Sequence, residues 1–476
     1  MFSFYKFMNP MKTDKTEKLV SLLESRYRKK TRKSLCLYRE AQKVLVRGGS
    51  HSIRLFSPYP FFMASAGGAL VHDLDGNAFI DYWQGHYANV LGHNPEVLKS
   101  EFRRFDPERG SLHTGFEGES QVRLAELIMA RLGYKDHKIR FTTSGALATM
   151  SAVMLAQAHS GREKILKIGG GWHGATPYLL KGVNFHSGEG FGRPESAGIP
   201  ETMLRNTLVT RFNDTESLER IFKKHGDRIA GFIVEPFLGV GGFLPATREY
   251  LRTARRLTEQ HGALLLFDEI ISGFRFCPGG IQTLYGIEPD ITTFGKLIGG
   301  GHAVSAVEGK ARILEGKGAG GKGKAKFEGG TFSSHPHYMR AGYVMLKHLA
   351  DHAGPIYAAL AAAGDALRTR VETAFRGEGI EARCTGWGNE AVPGSSLFMV
   401  NFPRTDHVFA AAEDVWDPAL CDVRLKEDIL KIALLVEGVN VIHGGGAISL
   451  AHGASHLNRT VEAYAAVARL FKKYLF

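Results

Sequence analysis

Cysteine is scarce in this chain: Cys36, Cys277, Cys384 and Cys421 stand far apart, with no CxxC pair and no zinc-ligand spacing. That argues against a disulfide framework and a cysteine-based metal site, and it fits a reducing compartment. Long apolar runs are missing too. The most hydrophobic stretch, IAGFIVEPFLGVGGFL (229–244), is broken by Glu235, Pro236 and several glycines, so it falls short of the roughly 18 apolar residues that cross a bilayer. The N-terminus, MFSFYKFMNPMKTDK, has neither a sustained apolar core nor a small-residue cleavage site, and a soluble cytoplasmic protein is expected. Acidic residues are the minority charge, 48 against 60 basic ones, for a net charge of +12. Much of the excess lies in RYRKKTRK (26–33), where the only nearby aromatics are Tyr27 and Tyr38. Such a run reads as a solvated helix face rather than a nucleic-acid arm, and a basic surface also steers anionic substrates.

What is present is a chain of 476 residues, 44% hydrophobic and 23% charged, enough for one large domain with a smaller companion. Residues 14–47 read as helix, with Leu19, Val20, Leu22 and Leu23 on the apolar side and Gly48-Gly49 ending the pattern. ALVHD (69–73) and FIDY (79–82) read as strands joined by the DLDGN turn. From about residue 120, helical stretches alternate with KIRFTT (138–143), EKILKI (163–168), IAGFIVE (229–235), ALLLFDE (263–269) and DITTFG (290–295). Runs that are apolar on both faces imply a largely parallel sheet between helix layers, an α/β core. EGKGAGGKGKAK (315–326) reads as a mobile surface loop. Beyond residue 340 come alanine-rich helices, strands at GSSLFMVNF (394–402) and GVNVIHGG (438–445), and a last helix from about Asn458. The expected division is 1–75 and 341–476 as parts of a small α+β domain, with 76–340 as the large one. No internal repeat is visible.

Four segments carry chemistry. In TTFGKLIGGG (292–301), Lys296 follows a buried strand among glycines. Desolvation there lowers an amine's pKa and suits it to Schiff-base chemistry, although a lysine at a domain edge can also snorkel to water. In LLLFDEIISGFR (264–275), Asp268 ends an apolar strand, where ligands bind in open α/β sheets. A carboxylate buried there needs a cationic partner such as a protonated pyridine nitrogen, and the competing reading is a helix cap. RFTTSGALATMSAVMLAQ (140–157) passes from strand to helix at Ser144, Gly145 and Ala146, either a phosphate site at the helix start or a plain cap. GGGWHGATP (169–177) sets Trp172 and His173 in a turn after another strand, where the indole either stacks on a flat ring or packs in the core.

Taken together, the chain from about Gly48 resembles the class III aminotransferases of fold type I, in the branch of glutamate-1-semialdehyde 2,1-aminomutase and the β-amino acid aminotransferases. GALVHDLDGNAFIDYWQGHYANVLGHNPE (68–96), the serine-glycine turn, WHG, VEP (234–236), DEIISGFR, PDITTFGKLIGGG (289–301), GGTFSSHP (329–336) and LAH (450–452) carry the resemblance. It implies a seven-stranded, mainly parallel sheet and pyridoxal 5′-phosphate as cofactor. Lys296 is implied as the residue that carries the cofactor as an aldimine, Asp268 as the partner of the pyridine nitrogen, and Trp172, with His173 beside it, as the ring contact. Ser144, Gly145 and Ala146 map to the phosphate cup, joined by Thr331 from a neighbouring subunit, which implies a homodimer with shared sites.

The chain also departs from the branch. Val240 stands where an asparagine is common, Gly444 where the aminomutase has an acidic residue, and His302-Ala303 where leucine or methionine and proline are usual. These changes point away from a strict aminomutase and toward an aminotransferase acting on a small amino acid and an oxo acid. Arg54 resembles the branch's substrate-carboxylate arginine, and PGGIQTLYGIEPD (278–290) is similar to the β-amino acid enzymes. Intramolecular amino transfer and racemisation or epimerisation use the same site residues and stay open, whereas no membrane or nucleic-acid partner is expected.

Overall fold

The structure, a computed structural model, describes residues 13–103, 113, 115–316 and 324–476. The first twelve residues and most of the glycine-lysine segment at 315–326 therefore lie outside the described residues. The N-terminal region forms two helices, Thr13–Lys30 and Arg32–Val44. They part at Thr31, whose hydroxyl donates to Tyr27 O at 2.8 Å and so competes with the helix's own bonding. Leu19, Leu23 and Tyr27 recur every four residues and are buried. Arg26, Arg28 and Lys29 are exposed, while Lys30 donates from Nζ to Val436 O at 2.6 Å, so most of the basic run is the exposed side of an amphipathic helix.

An antiparallel meander follows: β1 (Met63–Gly67), β2 (Leu70–Asp73) and β3 (Ala78–Asp81). Its expected turn forms because Asp73 Oδ1 accepts the N–H groups of Asp75 and Asn77 at 3.0 and 2.8 Å.

The main sheet draws on β4 (His137–Thr142), β5 (Lys164–Ile168), β6 (Thr207–Thr210) and β7 (Ile229–Val234). A two-residue pair, β8 (Phe237–Leu238) and β9 (Leu244–Pro245), brackets the GVGG segment. The sheet is completed by β10 (Leu264–Glu269), β11 (Ile291–Phe294) and β12 (Ser305–Lys310). Its seven strands run β4-β12-β11-β10-β7-β5-β6, and β12 is the one antiparallel member. Both faces are covered, as runs without polar alternation require. Along β10, Leu264 and Leu266 cluster with Ala148 and Ala152 of helix Gly145–Ser160. Leu265 and Phe267 cluster with Tyr250 and Leu251 of helix Arg248–His261.

A three-stranded sheet, β13 (Arg383–Thr385), β14 (Leu397–Asn401) and β16 (Gly445–Ala447), belongs to the C-terminal part, while β15 (Val439–Asn440) pairs in parallel with β3. The expected strand at 438–445 is thus two residues long, then a turn with positive φ at His443 and Gly444. The last helix is Ala454–Tyr474, starting four residues ahead of Asn458. One core cluster joins Leu19, Leu23, Phe79, Ile80 and Tyr82 to Leu367, Phe398 and Phe471. Helix Pro336–Asp351 spans position 340 and places Met339, Met345 and Leu346 in the core beside Phe294 and Leu297. We therefore propose domain limits near Tyr82 and beyond Asp351 rather than at 75 and 340. Among the described residues, no helix is long and apolar enough to cross a membrane.

Candidate active site

The carboxyl ends of the parallel strands converge where the order of connections changes, the position at which open α/β sheets bind ligands. Asp268 sits at the end of β10, buried, and pairs across to Thr293 on β11. Its Oδ1 accepts the Thr293 hydroxyl and the Ile270 N–H, both at 3.1 Å, and Oδ2 faces His173 Nδ1 at 2.8 Å. Burial holds the His173 imidazole below its ordinary pKa, with the bond to Asp268 pulling the other way. A neutral ring that donates from Nδ1 leaves Nε2 as a lone pair, and that atom is buried without a partner. Each carboxylate oxygen has two acceptor sites, so Asp268 retains capacity for a further donor.

Lys296 lies three residues beyond Thr293, at the first position of a short 3-10 turn, with φ +48°. Burial is the main cause that pushes its amine down to about 8, opposed by Asp268 and Glu235 and assisted by Arg275. An amine in that range supplies a useful unprotonated fraction at neutral pH, which an ordinary surface lysine does not.

Gly145 and Gly295 bring these segments together. A Cβ on either would meet Ile270 Cδ1, at 3.1 and 2.9 Å, so the residue after Glu269 is wedged between the lysine turn and the start of the next helix. That helix, Gly145–Ser160, begins at Ser144, whose Oγ accepts Leu147 N–H at 3.3 Å. The N–H groups of Gly145 and Ala146 emerge at the same end with the positive pole of the helix dipole. Gly174, at φ +89°, closes the gap from the other side: a Cβ there would lie 2.6 Å from Ala146 Cα. The Trp172–His173 turn is therefore seated directly on the helix start. Trp172 is 36% exposed, so the indole is available to a ligand rather than sealed in the core.

Two buried groups that the sequence reading did not assign hold this turn in place. Glu235, at the end of β7, accepts Trp172 N–H at 3.0 Å and Gly239 N–H at 2.9 Å. Burial and then Asp268 push its carboxyl up to about 8, against those two bonds and Lys296. Lys167 is fully buried on β5 and donates to Gly171 O and Lys181 O, both at 2.9 Å. A charged residue inside an apolar strand was the available signal for each, since such residues are almost never buried without a partner.

Arg54 is exposed, and its Nε donates to His86 Nε2 at 3.2 Å. His86 belongs to a left-handed turn: Gln84, Gly85, His86 and Tyr87 have φ of 45°, 61°, 60° and 68°. Such a conformation costs a non-glycine residue roughly 1–2 kcal/mol, and Asp81 secures it by accepting the N–H groups of Trp83 and Gln84. Burial first, then Arg54, His51 and Lys296, push the His86 imidazole down to about 4. The positive charges of Arg54 and Lys296 thus both act to keep this imidazole neutral. His86 had no sequence signal, because no local pattern announces a left-handed turn outside glycine.

Thr331 stands exposed in the turn after Gly330, and a Cβ on Gly330 would lie 3.5 Å from Thr143 Oγ1. No bond joins it to Asp268 or Lys296. Gly444 has φ +73°, and a Cβ there would come within 2.8 Å of Lys426 Cγ and Val400 O, so a side chain is excluded by packing. Val240 is half-buried against the core, and His302 stacks on Tyr338 at 4.7 Å.

An amine of lowered pKa, a buried acid, a bare indole and a helix start with free N–H groups form a donor set that suits a phosphate-bearing aromatic aldehyde. Comparison with known proteins agrees. The class III aminotransferase family matches residues 55–378. A glutamate-1-semialdehyde 2,1-aminomutase of Haloarcula marismortui is 38% identical over 376 residues, 78% of this chain and 80% of that protein. The solved structure of a β-phenylalanine aminotransferase from Variovorax paradoxus is 27% identical with a TM-score of 0.82, covering 96% of this chain and 98% of that one. A transaminase with PLP bound is 28% identical with a TM-score of 0.79, over 93% and 98% of the two chains.

Proposed function

Because the chain belongs to the class III aminotransferases, we propose that it moves an amino group between a small amino acid, of α or β type, and an oxo acid, with Lys296 holding the cofactor. That cofactor is pyridoxal phosphate, whose ring, when bound, takes up the electron pair freed at the substrate carbon. The observation that carries the reading is Lys296, lowered to about 8 and set one strand away from the buried carboxylate of Asp268.

In this reading Lys296 would hold the cofactor through Nζ, and the same amine, when free, would move the proton at the substrate carbon. Asp268 keeps a proton on the pyridine nitrogen, and His173 and Thr293 hold the carboxylate in position. Ser144 Oγ and the N–H groups of Gly145 and Ala146 would hold the phosphate, and Trp172 would contact the ring. Thr331 would reach the phosphate of a second subunit, which makes the working form a homodimer. Arg54 takes the substrate carboxylate.

A second reading, intramolecular amino transfer, is favoured by the aminomutase name of the Haloarcula relative. The sterically closed Gly444, where the aminomutase carries an acidic residue, weighs against it. The two separate in a panel of α- and β-amino acids mixed with the aldehyde form of the holoenzyme. Conversion to the amine form with release of an oxo acid is expected for at least one monocarboxylic amino acid. Turnover confined to glutamate-1-semialdehyde, with no oxo acid from the panel, overturns the aminotransferase reading.

A further inference from the structure

The left-handed turn Gln84–Tyr87 is a strained element at the mouth of the site, and such outliers persist only where the surroundings impose them. Asp81 imposes this one. Besides the N–H groups of Trp83 and Gln84, its carboxylate meets His93 Nε2 at 2.8 Å and Asn440 Nδ2 at 2.7 Å, while Gln84 Nε2 returns a bond to Asp81 O at 2.8 Å. The result is that one side chain, His86, is aimed at Arg54. Its ring also lies 5.2 Å from the His51 ring and 4.7 Å, edge to face, from the Trp83 ring. The imidazole that meets the guanidinium is thus itself packed between a second imidazole and an indole, and among the described residues no carboxylate is bonded to Arg54.

The bond runs from Arg54 Nε to His86 Nε2, and its direction has a chemical consequence. Nε2 accepts, so the ring proton sits on Nδ1 and the imidazole is neutral. With Nε already engaged, the guanidinium has only its two terminal nitrogens to offer, which fixes an end-on approach for a planar anion. A neutral acceptor directs the arginine without cancelling its charge, as an aspartate or glutamate in the same place would. We infer that His86 is a specificity-determining positioning residue, which locks Arg54 through Nε so that its terminal nitrogens receive the substrate's carboxylate end-on.

This rests on the aminotransferase reading and on Arg54 as the carboxylate contact, and it adds what makes that contact selective. The substrates favoured are those whose carboxylate can be reached by a fixed guanidinium while the amine meets Lys296. The corresponding amines, which lack the acid, gain nothing from His86.

The test uses the holoenzyme and single-turnover half-reactions, followed by the loss of the aldehyde absorbance, with an amino acid that the panel shows to be converted and with its decarboxylated amine. His86→Leu removes the acceptor, and His86→Gln keeps an oxygen acceptor of similar reach. The apparent dissociation constant for the amino acid is expected to rise roughly ten- to thirtyfold in His86→Leu, as for loss of a charge-assisted bond, with the value for the amine within about twofold. His86→Gln should recover most of the loss. In a double-mutant cycle, Arg54→Ala/His86→Leu should be no worse than Arg54→Ala alone. Equal losses on acid and amine, losses that add in the double variant, or no rescue by glutamine overturn the inference. A wild type that converts no amino acid of the panel contradicts the aminotransferase reading itself, so the two failures are distinguishable.

Discussion

Among single residues, two side chains govern the site, the buried carboxylate of Asp268 and the desolvated amine of Lys296. A carboxylate and a pyridinium about 4 Å apart at an effective dielectric near 20 attract by roughly 4 kcal/mol, which corresponds to about three decades in rate when the interaction is realised in the transition state. Asp268→Asn should therefore lose roughly a thousandfold in turnover while the holoenzyme still forms, because the phosphate and ring contacts remain. Stopped-flow half-reactions on the loaded variant measure this, and near-normal turnover would show that Asp268 faces away from the ring. Lys296 sets a second expectation. Its amine is lowered to about 8 chiefly by burial, with Asp268 and Glu235 acting to raise it. The rate at which cofactor attaches to the apoenzyme should rise with pH and level off above about 8, and Asp268→Asn should shift that midpoint downward. A midpoint near 10 would mean that the lysine is solvated.

At the scale of elements, the Trp172–His173 turn stands or falls with Gly174. Replacing it by alanine puts a Cβ 2.6 Å from Ala146 Cα in a left-handed conformation, and overpacking of that kind costs about 1–3 kcal/mol before the backbone term is added. Gly174→Ala should lower the urea midpoint and speed cofactor loss on dialysis. An unchanged release rate would detach this turn from the cofactor site. Much of this layer was legible in the sequence. β7 is an uninterrupted apolar run, β10 is one up to Asp268, and β11 is short and fully buried, while the lysine, aspartate and serine-glycine turn fall at strand ends where the sheet must open. What escaped has physical reasons. TLVT (207–210) is too short to show a period, and SAVEGK (305–310) hides Glu308 in the sheet through a bond to His137. The strand expected at 438–445 fails because Gly444 takes a positive φ under Lys426. Glu235 lay inside a recognised segment, but only the structure shows that it ties Trp172 to Gly239. Arg54 was visible as a residue, whereas the His86 that holds it depends on a backbone conformation no pattern encodes.

At the scale of the whole molecule, several lysines have been folded into the interior. Burial lowers Lys167 to about 7 and Lys426 and Lys431 to about 8, as it does Lys296. An unfolded lysine titrates near 10.4, so between about pH 8 and 10 each of these amines binds more protons in the unfolded chain than in the folded one, and its contribution to stability rises with pH. Glu235 and Glu269, raised to about 8 by burial, act in the opposite sense below that window, and the buried thiols of Cys277, Cys384 and Cys421, all pushed up by burial, act in the opposite sense within it. Each lysine contributes at most about 1.4 kcal/mol per pH unit, so Lys426→Met should flatten the slope of apoenzyme stability by one lysine's share. Urea unfolding of both proteins at pH 8, 9 and 10 reads the difference, and a slope in Lys426→Met equal to that of the wild type would mean that this amine is solvated. The proposed dimer belongs to this scale as well. Thr331→Ala should weaken cofactor retention without changing the half-reaction of enzyme that stays loaded, and a monomeric holoenzyme with full retention would contradict a shared site.

Reductive trapping tests most directly whether Lys296 holds the cofactor. Holoenzyme treated with borohydride, digested and mapped by mass should carry the reduced pyridoxyl phosphate on the peptide containing Lys296, and Lys296→Ala should carry none. A label on another lysine, or an unlabelled and colourless wild type that cannot be reconstituted, would contradict the account.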